Sequence, residues 1–238
     1  MNAVTEAPAS QRHVDLAESS VRALNSALHE TNGAESSQRW EIVNPRGAHN
    51  VAVGLDAPLD VVIDGHVGYY CAGMNKKAAV TVRGNAGPGL AENMMSGRVH
   101  VTGNVSQYAG ATAHGGLIVV EGNASSRCGI SMKGVDIVVR GNVGHMSAFM
   151  AQKGRLVVLG DAGEALGDSL YEARLYVRGS VGKLGADCIE KPLRDEHRAE
   201  LVELLAAAGI DDVEPDAFRR YGSARKLYHF NVDNADAY

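Results

Sequence analysis

The sequence has few of the residues on which metal sites, disulfides and membrane segments depend. Its three cysteines, Cys71, Cys128 and Cys188, form no CxxC or other metal-ligand spacing, and aromatic residues make up 5% of the 238 positions. No apolar run approaches the roughly 20 residues of a transmembrane helix, and the first 20 residues lack a signal-peptide core. The net charge is −5 and the basic residues are dispersed. We therefore predict a cytoplasmic protein with reduced thiols and without nucleic-acid or membrane partners.

Glycine, by contrast, recurs at a fixed interval. Seven glycines stand 19 residues apart, each within a variant of one phrase, such as VTVRGNAG or IVVRGNVG. They are Gly65, Gly84, Gly103, Gly122, Gly141, Gly160 and Gly179. A fixed period of this length is typical of a solenoid in which each repeat forms one turn.

The residues around each glycine predict the form of the turn. Apolar, mostly β-branched residues stand two and four positions before it and face one side of a strand, whereas the residues between them, such as Thr81, His100 and Tyr176, vary as an outward row should. The position seven after it is always alanine or glycine, which indicates a tight bend. We predict an all-β solenoid, a right-handed parallel β-helix of about seven 19-residue turns. A left-handed hexapeptide-type coil is disfavoured because 19 is not a multiple of six.

The flanks divide the chain into three predicted segments: an N-terminal helical extension at 1–39, the β-helix at 40–186, and a C-terminal capping helix with an aromatic tail at 187–238. Val14, Val21, Leu24 and Leu28 recur at helical spacing. They predict an amphipathic helix that covers the first turn or docks on another chain. One period before Val61 stands Ile42, so residues 40–45 are expected to form a degenerate eighth turn.

A second helix is predicted at about 195–208, where Gly209 ends it, and it is expected to cover the C-terminal end of the coil. The segment beyond it is rich in aromatic residues, among them Phe218, Tyr221, Tyr228 and Phe230. A disordered tail would be poor in such residues. We expect this segment to pack along the coil or on a neighbouring subunit.

Two polar rows are candidates for function. Asn85, Asn104, Asn123 and Asn142 each follow a repeat glycine, and we predict a ladder of amides that hydrogen-bond from turn to turn, with a binding row as the alternative.

The second polar row is basic. Arg83, Arg140 and Arg178 precede repeat glycines and could be solvated or could receive the acidic surface of a partner. Together with the apolar residues of the two flanks, they form the candidate partner interface.

The uniform length of the turns bears on function. Catalytic β-helices build their clefts from long loops, and here the glycine spacing leaves little material for one. We therefore assign no catalytic, cofactor-binding or metal-ligating residue, and favour a scaffold. A stand-alone binding or catalytic β-helix, with a pocket lined by the outward arginines, is the alternative from another class.

The stretch from GLAENMMSGRVHVTGN through CGISMKGVDIVVRGNVGHMSAFM, with the later segment GSARKL, resembles the GXGXG domain. This is the C-terminal β-helix of the glutamate synthase large subunit, and the resemblance covers about 40–227. A free-standing copy is most similar to the β-helix subunit of N-methylglutamate synthase. The β-helix subunit of formylmethanofuran dehydrogenase, or of its formyltransferase/hydrolase counterpart, is the alternative within the same domain family.

The resemblance implies a non-catalytic scaffold. In that family a glutamine-amidotransferase-like subunit and an FMN-dependent glutamate-synthase-like subunit surround the β-helix, and the complex forms N-methylglutamate from glutamate and methylamine with release of ammonia. FMN and an iron–sulfur cluster are then expected in the partner synthase subunit and none in this chain. The N-terminal extension departs from the fused domain and could replace the covalent link.

Overall fold

Nine short parallel strands stack in chain order in the computed structural model, which describes residues 11–31 and 38–227. They are β1 (Gln11–Asp15), β2 (Arg39–Val43), β3 (Asp60–Asp64), β4 (Ala79–Arg83), β5 (Arg98–Val101), β6 (Leu117–Val120), β7 (Lys133–Val139), β8 (Lys153–Val158) and β9 (Arg174–Val177). Two antiparallel strands, β10 (Cys188–Lys191) and β11 (Arg219–Ser223), continue the sheet in the order β9–β11–β10. The helices are α1 (Val21–His29) and α2 (Asp195–Ala208), with a 3₁₀ turn at Pro215–Ala217.

The predicted all-β solenoid of about seven turns is confirmed, because β3 to β9 pair in parallel at intervals of 19 residues. The right-handed sense of the coil stays a prediction. The two apolar positions before each glycine point into the coil, and Val82, Val101 and Val120 are fully buried. A second contact line of single parallel bridges runs from Val67 to Val181 through alternating valine and alanine.

The repeat glycines let successive turns come close together. The N–H of Gly122 donates to the carbonyl of Gly103 at 3.0 Å, and the N–H of Gly141 donates to Gly122 at the same distance. A Cβ at Gly122 would lie 2.5 Å from Asn104 Oδ1 and 2.7 Å from the Gly103 carbonyl oxygen. Of the seven glycines, Gly65 has a positive φ and the others do not. Close approach of the backbone is therefore what requires glycine in this column.

In the first six repeats, the small residue seven positions after the glycine does mark a bend. Ala72, Ala91 and Ala148 have φ values of 55°, 54° and 57°, and Gly110 has a φ of 68°. This left-handed region is costly for residues with a Cβ. The N–H of Ala91 donates to Cys71 at 2.9 Å, so each bend is also tied to the preceding turn.

The N-terminal flank differs from its prediction. Val14 does not lie on a helix but in β1, opposite Ile42 of β2, and the helix is confined to Val21–His29. Ser20 sets this start, because its side chain accepts from the N–H of Ala23 at 3.1 Å as a helix N-cap. A β-branched residue such as valine fits a strand at least as well as a helix. The helical spacing of Val14 is therefore coincidental.

Helix α1 covers the first turn of the coil. The side chain of Asn25 donates to the Asn50 carbonyl at 2.7 Å and accepts from the N–H of Ala52 at 3.0 Å. His29 Nε2 contacts the Val53 carbonyl at 2.7 Å. In later turns the equivalent N–H donates to the preceding turn, as Ala72 does to Val51 at 3.0 Å. No described turn of the coil precedes this one at these positions, and the side-chain amide of Asn25 makes the hydrogen bonds that a peptide group of such a turn would make.

The degenerate turn is present, but its register was predicted wrongly. Ile42 pairs with Ile63 and Trp40 pairs with Val61, an interval of 21 residues instead of 19. Trp40 is consequently buried in the core row. The two additional residues lie between β2 and β3, where no neighbouring repeat of the same length constrains the loop.

The C-terminal end of the coil is covered by β10 and β11 instead of by α2. Strand β11 pairs with β9, and Tyr221 of β11 packs into the main core. Asp187 holds the segment at the end of β11 and just after it. Its carboxylate accepts from the Ser223 hydroxyl at 2.6 Å and from the N–H of Lys226 at 2.9 Å. Burial opposes ionisation there, but these hydrogen bonds keep the pKa of Asp187 below its usual value.

We expect Gly122→Ala to destabilise the coil by about 1–3 kcal/mol, because the added methyl group forces two turns apart. Equilibrium unfolding in urea would measure this change. Gly222→Ala is the matched control, since its Cβ would meet its nearest neighbour at an ordinary 3.6 Å. Equal loss in both variants would contradict the close-approach explanation.

We expect Asn25→Ala to lower the free energy of unfolding by about 1–3 kcal/mol, since it leaves the buried Ala52 N–H without a partner. Ser26→Ala changes an exposed position of the same helix and should have little effect. Hydrogen exchange at Ala52 should rise in the first variant alone.

Candidate interaction surface

Helix α2 lies along the outer face of the sheet. Its buried residues Leu201, Leu204, Leu205 and Ala208 share an apolar cluster with the outward row, and this cluster is separate from the main core. The sheet contributes Val119, Val138, Val157, Leu159 and Tyr176. Fourteen helical residues span about 21 Å, close to the roughly 19 Å of four inter-turn steps. The helix therefore runs along the coil axis over several turns.

This placement corrects two predictions. Helix α2 has the predicted bounds, but it does not cover the end of the coil. The outward row does not vary freely either, because Thr81 and His100 give way to Val119, Val138 and Val157 in the later turns. Three consecutive outward valines should be solvent-exposed unless something covers them. The change from polar to apolar residues along this row therefore indicated where α2 packs on the sheet.

An ion-pair cluster fixes the first half of α2. Arg174 Nη1 lies 2.8 Å from Glu200 Oε1, and the Tyr176 hydroxyl donates to Glu200 Oε2 at 2.7 Å. Arg155 contacts Glu200 at 3.3 Å and pairs through two nitrogens with Asp136. Burial alone would raise the pKa of Glu200, but the Tyr176 hydrogen bond and the charges of Arg174 and Arg155 lower it below its usual value. The side chain of Glu200 is 12% exposed, so solvent screens this cluster only in part.

The other end of α2 is held by Arg98, whose Nη1 donates to the Ala207 carbonyl at 2.6 Å. A cation at this position also complements the negative end of the helix dipole. Gly209 ends the helix with a φ of 76°. Arg98, Arg155 and Arg174 share one outward position in their turns, with Leu117 and Asp136 between Arg98 and Arg155, so arginines of one column contact both halves of the helix.

The arginines that precede the repeat glycines are only partly available to a partner. Arg140 Nε lies 3.3 Å from Glu121, and Arg140 also approaches Asp212 at 3.9 Å. Arg178 donates to the Leu159 carbonyl at 3.0 Å. Arg83 is exposed on the part of the face that α2 does not cover.

The four asparagines stand in one column along the coil. Each side-chain carbonyl accepts from the backbone N–H one turn later: Asn85 from Asn104, and Asn104 from Asn123, both at 2.8 Å. The donor is thus mainly the backbone instead of the neighbouring side-chain amide. His66 Nδ1 begins the same chain at 2.9 Å, and Asp161 continues it to Ser180 at 2.7 Å. The column therefore ties neighbouring turns together.

The three thiols are free and buried, and burial raises the pKa of Cys71 and of Cys128 to about 12. Such thiols stay protonated at neutral pH and are poor nucleophiles. The described residues contain no group of three or more His, Cys, Asp or Glu side chains that could hold a metal ion. Neither described helix is long and apolar enough to cross a membrane.

Most of the apolar residues predicted for a partner interface are used within the chain. Leu24 and Leu28 of α1 are buried in the main core, as is Tyr221, while Phe218 packs beside α2. Val21 packs partly against the main core. Tyr228 and Phe230 lie outside the described residues. The described parts of the flanks therefore pack on the coil itself.

Four large apolar side chains are exposed elsewhere, on the early turns of the coil. We call them the Tyr–Met patch: Tyr69, Tyr70, Met74 and Met95, with relative exposures of 50%, 48%, 54% and 45%. His49 stacks on Tyr69 with ring centroids 4.4 Å apart, and the Tyr70 ring lies against Gly89, where a Cβ would come within 2.6 Å of it. Sequence reasoning missed this patch, although adjacent tyrosines in a chain poor in aromatics were a signal. Exposed tyrosine and methionine side chains of this kind are typical of interaction surfaces.

The geometry defines a class, the parallel β-solenoids with a helix laid along the outer face. The chain is 64% identical over 225 residues to "Protein GlxC" of Rhizobium meliloti (strain 1021), and the match covers 94% of this chain and 99% of the relative. The chain therefore belongs to the GlxC family, which fits the glutamate-synthase-like resemblance of the sequence. No family model matches the sequence. No solved structure matches it either.

We expect the attachment of α2 to weaken in acid. Because the pKa of Glu200 is lowered in the folded state, its stabilising effect is present above the unfolded pKa of about 4.3 and is lost as the pH falls through the folded value. Glu200→Gln should therefore lower the melting temperature at neutral pH and flatten its decline in acid. Thermal unfolding at several pH values measures both effects, with Glu203→Gln on the exposed side of α2 as control. An unchanged pH profile in Glu200→Gln would contradict this role.

Proposed function

We propose that this chain is the non-catalytic scaffold subunit of a glutamate-synthase-like complex. The observation that carries the proposal is the exposed Tyr–Met patch on a coil whose ends and part of whose outer face are covered by the described parts of its own flanks. A patch of half-exposed tyrosine and methionine side chains is costly to leave in water and is typical of a surface that another protein covers. The 64% identity to a GlxC protein supports the glutamate-synthase-related assignment.

The two tyrosines of the patch are suited to binding because they are held by neighbouring residues. Tyr69 is held by stacking on His49, and its N–H donates to His49 Nδ1 at 3.0 Å. Tyr70 meets Tyr69 edge-on at a centroid distance of 6.4 Å. Side chains that are fixed before binding lose less conformational entropy when a partner docks. Tyrosine and methionine are also enriched at interfaces relative to other surfaces.

The finer proposal is N-methylglutamate synthase. The partners would be a glutamine-amidotransferase-like subunit and an FMN-dependent glutamate-synthase-like subunit, which carries the flavin and the iron–sulfur cluster. The complex would convert glutamate and methylamine to N-methylglutamate and ammonia in the cytoplasm during methylamine utilisation. This chain would contribute a rigid spacer between the two active subunits. Its support is the sequence resemblance, including the GSARKL segment that wraps Asp187.

The test is co-purification of the tagged full chain from its native cells, followed by assay of the isolated complex for N-methylglutamate formation. We expect both partner subunits and FMN in the complex, and no flavin on the chain alone. Purified chain that bound FMN or turned over substrate without partners would contradict the scaffold proposal. Partners of formyl-transfer chemistry would overturn the N-methylglutamate synthase assignment but keep the scaffold.

The double variant Tyr70→Glu/Met74→Glu should reduce recovery of the partners at least tenfold, which corresponds to about 1.4 kcal/mol of binding free energy. The control is Val202→Glu on α2, whose side chain is 54% exposed, as is that of Met74. Thermal unfolding of the isolated variants would show that both retain the fold. Equal recovery of the partners with both variants would exclude the patch as an interface.

A further inference from the structure

A basic cleft lies beside the start of α2, where the outer face continues from β9 onto β11 and β10. Its volume is about 400 Å³, and Glu172, Arg174, Lys191, Arg194, Glu196, His197, Arg220 and Arg225 are among its lining residues. Five of these are Arg or Lys and two are Glu, so the formal charge of the lining is 5 − 2 = +3 with histidine neutral. The whole chain carries −5. The cleft therefore reverses the charge of the molecule locally.

Two of the cations are brought together by strand pairing. Arg220 stands opposite Tyr176 in the β11–β9 pair and opposite Lys191 in the β10–β11 pair. Since Tyr176 lies under α2 on the outer face, Arg220 and Lys191 occupy the next two positions on that same face. Like charges directly opposite one another on antiparallel strands destabilise the pair. Both residues are partly exposed, so solvent screens this repulsion in part, and a nearby carboxylate could offset the rest.

The carboxylates of the cleft do not do so. Glu172 pairs with Arg225 at 2.9 Å, Glu196 approaches Arg194 at 3.6 Å, and Glu200 is taken by Arg155 and Arg174. In the described part of the chain no carboxylate lies within ion-pair distance of Lys191 or Arg220. Arg220 donates to the Pro192 carbonyl at 3.3 Å.

One donor of the cleft is buried without a partner. Arg220 Nε is inaccessible to solvent and has no hydrogen-bond partner among residues 11–31 and 38–227. A buried donor left unpaired costs free energy, most of all on a charged group. Nearby, His197 is buried at the start of α2; burial lowers its pKa, and the charges of Arg220 and Arg174 add to this effect. A neutral His197 adds no further positive charge to the cleft.

We propose that this cleft binds a small metabolite through an oxyanion, a carboxylate or a phosphate, held between Lys191 and Arg220. Guanidinium and ammonium groups are the side chains that recognise these anions, and arginine does so through paired hydrogen bonds. The volume suits a small molecule, because ligand pockets begin at about 300 Å³. The site is independent of the scaffold proposal, since all its residues belong to this chain and the site needs no partner subunit.

The test is titration of the full chain at low ionic strength with sodium phosphate, with sodium glutarate as a dicarboxylate, and with sodium chloride as the salt control. Calorimetry should give saturable binding of phosphate or glutarate with a Kd of about 1 mM or tighter, and the melting temperature should rise with occupancy. The stronger of the two probes identifies the anion class. Chloride at equal ionic strength should not reproduce the effect.

Arg220→Gln and Lys191→Gln should each weaken that binding at least tenfold. Without added anion, either variant should melt no lower than the parent chain at low salt, because it removes a like-charge repulsion. The control Lys133→Gln, an exposed lysine of β7, should leave binding unchanged. The proposal is overturned if neither probe binds, if binding is equal in Arg220→Gln and the parent chain, or if an oligoglutamate peptide binds while both small anions do not. The last result would make the cleft a docking site for an acidic protein segment.

Discussion

The close approach of one turn to the next is the constraint on which the rest of the structure depends. Backbone hydrogen bonds set a spacing of about 4.8 Å between neighbouring strands. At the repeat glycines this spacing leaves no room for a side chain, because a Cβ would lie within 3 Å of the preceding turn. The glycine spacing, the uniform turn length and the straight core rows all follow from that contact. The asparagine column reinforces it by adding a second hydrogen bond at the same level.

Both ends of the coil and part of its outer face are consequences of this stacking. A stack of identical turns ends in unpaired peptide groups and exposed core, and each end has a different solution. At the N-terminus a single asparagine side chain supplies both hydrogen-bonding partners that a peptide would have supplied. At the C-terminus the chain reverses and adds two antiparallel strands to the last parallel one. Reversal also places Arg220 and Lys191 side by side, so the basic cleft is a by-product of closing the sheet.

The repeat itself was predictable from sequence, and the flanks were only partly so. Seven copies of one pattern establish strands, inward rows and bends, because every turn repeats the same contacts. Val14 and Ile42 could not be placed correctly, since each belongs to a turn of different length with no second copy to fix its register. The bounds of α2 were evident from its leucines and Gly209. Its position on the sheet could be predicted only by comparing the outward residues of successive turns. The cleft was beyond sequence reasoning, because Lys191 and Arg220 are 29 positions apart in the chain and meet only through an antiparallel pairing.

Helix α2 has a consequence for how this coil can evolve. It is anchored at Arg174 near its start and at Arg98 near its end, and these two arginines belong to turns four repeats apart. A solenoid normally gains or loses whole repeats with little penalty, because each turn contacts only its neighbours. Here a duplicated turn between the anchors would separate Arg98 from Ala207 by one inter-turn step, about 4.8 Å. The length of α2 therefore fixes the number of turns between Arg98 and Arg174.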